Sequence, residues 1–183
     1  RGLGAMNRII KIGTISTKEM MNYINEKVQT IRQPIKTNKK IEYFNVASSF
    51  DIETTSFYDV IDDERVKTAI MYEWTFDLDG LIFIGRTWNQ FVELYNIICE
   101  ELLLSTQRRL IIYVHNLSFE FQFLRKRFDW HKVFSVDERK PLYALTKEGV
   151  EFRCSYLLSG YSLEILARNV KSSKVDKKVG DLD

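Results

Sequence analysis

The residues best suited to chemistry are Asp51 and Glu53, within Phe50-Asp51-Ile52-Glu53-Thr54-Thr55. They follow the apolar run Phe44-Asn45-Val46-Ala47, and together these residues predict a strand over 44–50. On a strand, residues i and i+2 share a face, so the two carboxylates project side by side from the strand end. Acids paired in this way can hold divalent cations, the start of a two-metal site for phosphodiester hydrolysis. The same spacing also suits a strand edge whose acids simply face water.

A second group lies at 115–120. Leu110-Ile111-Ile112-Tyr113-Val114 is a continuous apolar run, as expected of a strand buried on both faces. It leads directly into His115-Asn116-Leu117-Ser118-Phe119-Glu120-Phe121, where the apolar spacing turns helical. Polar residues at the C-terminal end of a strand occupy the place where open α/β sheets form their sites. Glu120 could complete a metal cluster with Asp51 and Glu53. Asn116 offers a nucleotide both donor and acceptor, and Phe119 offers a base a stacking face. A purely structural reading stands beside this one. In it Asn116 caps the helix, Glu120 is a first-turn acid favoured by the helix dipole, and Phe119 is core.

The elements that must position these residues alternate between α and β. Met20, Met21, Ile24, Val28 and Ile31 keep a near-helical period over 17–31, with Ser16 or Thr17 placed to cap. The polar stretch 33–40, with Pro34 and three lysines, reads as a linker behind an N-terminal helical arm. Strands are expected over 67–76 and 81–85, joined at Asp79-Gly80. A helix is expected over 89–104, with Phe91, Leu94, Tyr95, Ile98 and Leu102 on one face. Short strands follow at 133–137, 143–146 and 150–154, with Lys147-Glu148-Gly149 as a turn, then a helix at 162–170 and a lysine-rich tail.

Length and composition bound the reading. A chain of 183 residues suits one well-buried domain, and 45% apolar with 13% aromatic residues excludes a disordered chain. A net charge of +2 gives no overall basic field, so any nucleic-acid contact must be local. Two cysteines and two histidines support neither a zinc site nor a disulfide scaffold. A reduced intracellular, cytoplasmic setting is the economical expectation, with both thiols as small apolar groups. No signal peptide and no apolar run of membrane-span length is visible. Residues 1–5 precede Met6 and look like a remnant of expression.

Asp-Ile-Glu-Thr-Thr at 51–55, followed by Tyr-Val-His-Asn-Leu-Ser-Phe-Glu at 113–120, resembles the first two exonuclease motifs of family B DNA polymerases. The likeness is greatest to the protein-primed branch of phages and linear plasmids. Phe152-Arg153-Cys154-Ser155, then residues 158–167 and Val179-Gly180-Asp181-Leu182-Asp183, are similar to the segment leading toward that branch's third motif. The resemblance runs from about Phe44 to the last residue, and residues 6–40 lie outside it.

What the resemblance implies is specific. The fold would be α/β and ribonuclease H-like, a mixed sheet flanked by helices, with residues 41–183 as the exonuclease-like domain. The activity would be 3′–5′ proofreading of single-stranded DNA in a bacterial host of the phage or plasmid. Asp51, Glu53 and Glu120 would hold magnesium, or manganese in its place, although the family has Asp where this chain has Glu120. One cation would activate a water and the other would stabilise the leaving 3′-oxygen. Thr54, Asn116 and Phe119 match positions that hold the terminal single strand, with Ser155 and Lys177 or Lys178 as weaker matches. The third motif, Tyr-x-x-x-Asp, and the polymerase domain would lie beyond Asp183. Only Tyr58…Asp62 has that spacing, and it falls just after the first motif. A competing expectation is an inactive module that binds single-stranded DNA or docks on a terminal protein or other replication protein.

Overall fold

Alternating burial along the strands gives this protein a sheet with one covered face. The computed structural model describes residues 8–37, 39–137 and 140–155. In chain order the elements are β1 (Arg8–Lys11), α1 (Thr17–Thr30), β2 (Ile35–Lys36), β3 (Glu42–Tyr43), β4 (Ser48–Ile61), β5 (Glu64–Leu78) and β6 (Leu81–Gly85). Then come α2 (Trp88–Glu101), β7 (Arg108–Val114), α3 (Leu117–Leu124), β8 (Trp130–Asp137), β9 (Lys140–Thr146) and β10 (Val150–Cys154). The fold is α/β, a mixed sheet flanked by helices. Its main path runs β1-β6-β5-β4-β7-β10-β9-β8, with β2 and β3 joined at the side of β7. Strands β4, β7 and β10 are mutually parallel, whereas β5 runs antiparallel to both of its neighbours.

The covered face carries Phe50, Trp74, Phe76, Leu110, Ile112 and Phe152, all essentially buried. Phe91 of α2 sits over it, its ring centroid 4.3 Å from Phe50 and 5.2 Å from Trp74. Helix α2 starts where it does because Thr87 and Gln90 form a reciprocal capping box. The Thr87 carbonyl also accepts from the Trp74 indole N–H at 2.8 Å, tying the helix start to the core. Helix α1 is capped by Ser16, which accepts from Glu19 N. Its Met20 and Ile24 join the same core, while Thr17 and Asn25 donate to Glu93 and Glu101 of α2.

Several expectations meet a different outcome. Residues 6–40 are expected as an arm with a linker; of the described part, β1 pairs with β6, β2 pairs with β3, and Met20 and Ile24 of α1 lie in the core. The strand expected at 44–50 begins at Ser48 and continues to Ile61, so Asp51 and Glu53 lie inside it. Its partner β5 reaches back to Glu64, because Asp62 and Asp63 both adopt positive φ (52° and 61°) and close a two-residue turn. Strand β7 is buried on one face only: Leu110, Ile112 and Val114 are covered, but Tyr113 is exposed. The expected turns at Asp79-Gly80 and at 147–149 are present, with positive φ at Asp79, Gly80 and Gly149. The helix expected at 162–170 and the basic tail lie outside the described residues. No helix among the described residues is long and apolar enough to cross a membrane.

Candidate functional site

Parallel strands β7 and β10 end side by side, where the longer β4 runs on past them. Phe50 of β4 pairs with Val114 of β7, and Val114 with Cys154 of β10. The next residue on each strand is polar: Asp51, His115 and Ser155. Neighbouring strands lie about 4.8 Å apart, so this row of strand ends brings residues distant in sequence to one edge. The join is held from both sides. Ser155 Oγ donates to Val114 O at 3.3 Å, and Cys154 Sγ donates to His115 O at 3.7 Å.

Beyond this row, β7 turns into α3 and β4 loses its partner on that side. Asn116 caps α3, its side-chain oxygen accepting from Phe119 N at 3.3 Å. One turn on, Glu120 is buried at 3% exposure, and its Oε1 accepts from Ile52 N at 3.1 Å. The helix therefore inserts its acid against the β4 backbone between Asp51 and Glu53. Glu120 Oε2 is buried with no hydrogen-bond partner. The Asp51 side chain approaches this group, and Glu53 adds its charge. Two carboxylates cannot satisfy one another unless one carries a proton or a cation joins them.

The electrostatics follow from this placement. Burial chiefly, then contact with Asp51, raises the Glu120 carboxyl to about 9. The Ile52 N–H opposes that rise, and the negative charges of Asp51 and Glu53 add to it. Asp51 and Glu53 are themselves exposed on the face opposite the core. On that face Glu53 stands directly across from Glu73 of β5. Like charges so paired repel unless a cation or protons intervene.

Of the residues singled out from sequence, Asp51, Glu53 and Glu120 thus come within electrostatic reach of one another. Among the described residues, however, no three His, Cys, Asp or Glu side chains are already arranged to hold one metal ion. The orphaned Glu120 Oε2 beside Asp51 is nonetheless the position a hard cation would satisfy, and all the donors are oxygens. Thr54 follows the site, at the register shift between Glu53 and Thr54. Phe119 is 38% exposed and meets Phe123 edge-on, so it is a surface aromatic rather than core. Asn116 is exposed, with its oxygen committed to the cap. Lys177 and Lys178 lie outside the described residues.

Glu73 is the acid that sequence reasoning missed. Counting back from the Asp62-Asp63 turn puts Tyr72 opposite Glu53, and only the register shift moves Glu73 there. The sequence carries no marker for that shift. Neither a scan of protein-family models nor a comparison with curated proteins finds a match to this chain.

Proposed function

We propose that this chain is a 3′–5′ exonuclease-type domain of the protein-primed family B DNA polymerase kind, acting on single-stranded DNA ends. The observation that carries the reading is the hydrogen bond from Ile52 N, between Asp51 and Glu53 of the first motif, to buried Glu120 of the second. Nothing in local sequence brings acids 69 positions apart together, and a shared cation site would give both motifs one purpose. The strand order supports the finer fold assignment. Three consecutive antiparallel strands (β4, β5, β6) continue into parallel β7 and β10 beside β4, the order expected of a ribonuclease H-like core.

In this reading Asp51 and Glu120 hold a divalent cation, with Glu53 and Glu73 on the open face beside them. When bound, magnesium or manganese supplies charge neutralisation at the phosphate and a lowered pKa for the attacking water. The chain's own contribution is geometric. Ile52 N–H fixes the Glu120 carboxylate, Asn116 fixes the helix that carries it, and the strand ends hold Asp51 in register. Phe119 presents an exposed ring to a terminal base.

A second reading has its own observation. Without a cation Glu120 stays protonated at neutral pH, which suits an inactive module that only binds single-stranded DNA or docks on a terminal protein. Shortening of a 3′-unpaired, 5′-labelled oligonucleotide with magnesium or manganese, and with EDTA as control, separates the two. The nuclease reading expects metal-dependent shortening that Asp51→Ala with Glu53→Ala abolishes. Strand binding without shortening favours the strand-binding form of the second reading, and neither shortening nor binding leaves only its docking form.

A further inference from the structure

Beyond Glu53 the β4–β5 pair leaves the sheet. Strand β4 touches β7 only at Ser49 and Phe50, and β5 touches β6 only from Trp74 onward. Residues 54–61 and 64–71 therefore pair only with each other among the described residues. A lone two-stranded ribbon is marginal in water, and long unpaired edges invite another strand. Natural proteins usually blunt such edges with polar side chains. This one exposes Val60 at 69%, Tyr58 at 57%, Ile61 at 52% and Phe57 at 43%.

The two faces differ. Paired residues share a face, so Phe57 and Thr68, Asp59 and Val66, and Ile61 and Glu64 line one side, with Ile70 at its base. The other side carries Tyr58 opposite Lys67 and Val60 opposite Arg65, whose guanidinium covers the Tyr58 ring at 3.9 Å. The tip is acidic: Asp59, Asp62, Asp63 and Glu64 fall within six positions. Residues 54–70 hold four acids and two bases, net −2, whereas the whole chain is +2. A phosphate backbone is repelled by that tip, and two ribbons side by side repel each other. A basic partner is attracted.

We propose that this ribbon is a docking arm for a partner protein that presents a basic, extended segment, added as a further strand along its open edge. Backbone groups of the arm supply the pairing, Phe57 and Ile61 the apolar contact, and the acidic tip the choice of sign. The inference does not depend on cation chemistry at Asp51.

The test uses the whole chain and two fluorescent ten-residue peptides, one alternating Lys with Val and its counterpart alternating Glu with Val, followed by anisotropy. The basic peptide should bind and the acidic one should not. Phe57→Ser with Ile61→Ser should weaken binding at least about tenfold, roughly 1.4 kcal/mol. Asp62→Asn with Asp63→Gly removes two charges yet favours the same turn, so weaker binding in that variant cannot come from a lost hairpin. Asp51→Ala should bind the peptide as the parent does. Equal binding of both peptides, or no loss in either ribbon variant, overturns the proposal. So does a single-stranded oligonucleotide that loses affinity in the ribbon variants, or a dimer by light scattering that those variants dissolve.

Discussion

The Glu120 carboxyl reaches from α3 to the β4 backbone at Ile52. Burial without a donor for its second oxygen keeps that carboxyl neutral well above the usual range. The folded value, about 9, exceeds the ordinary 4.5, so the folded state retains a proton that the unfolded chain releases. Stability linked to neutral Glu120 is complete below pH 4.5 and is lost as pH rises through about 9. Glu120→Gln keeps an acceptor for Ile52 N–H and cannot ionise. It should therefore raise the melting temperature at pH 8, by an effect of a few kcal/mol, and change little at pH 4. Equal shifts at both pH values in differential scanning calorimetry would show that Glu120 ionisation is not coupled to folding. The types of Asp51, Glu53 and Glu120 were legible as metal-suited acids. That Glu120 would be buried to 3%, as deeply as apolar Phe121, was not, since burial on α3 is set by how the helix packs on the sheet.

At the scale of elements, the helix expected over 89–104 forms as Trp88–Glu101 because its apolar period is local, whereas the Thr87–Gln90 capping box that sets its start went unread. Thr87→Ala should cost about 1 kcal/mol in urea unfolding, and no loss would mean the cap is redundant with the Trp74 contact. Gly149 closes the β9–β10 turn at φ +112°, and a Cβ there would lie 2.2 Å from Ser105 O. Gly149→Ala should destabilise by roughly 1–3 kcal/mol in the same experiment; an unchanged midpoint would show that the 105–108 turn moves aside freely. The β4–β5 ribbon was not legible. Its turn uses Asp-Asp, a weaker positive-φ signal than the Asp79-Gly80 that was read, and Asp59 to Lys67 looks like a polar loop until its pairing is known. Replacing Asp62-Asp63 by Asn-Gly should increase amide protection along residues 55–69 in hydrogen exchange; unchanged protection would mean the turn does not limit the ribbon.

For the molecule as a whole, the α/β class was legible because helical and strand periods alternate along the chain. The sheet order was not, because pairing is non-local. Nothing in Arg8–Lys11 announces that β1 lies beside β6, across the sheet from β10. The same non-local order sets Asp51, His115 and Ser155 side by side across β4, β7 and β10. Asp51 and Glu120 together are proposed to form a cation site, on which the nuclease reading depends. Titration of manganese followed by electron paramagnetic resonance, with proton release recorded in weak buffer at pH 7.5, tests it most directly. Binding should release close to one proton, the one Glu120 carries, and should be lost in Asp51→Asn and in Glu120→Gln. A folded protein that binds no manganese, or that binds it equally in both variants, would contradict the claim.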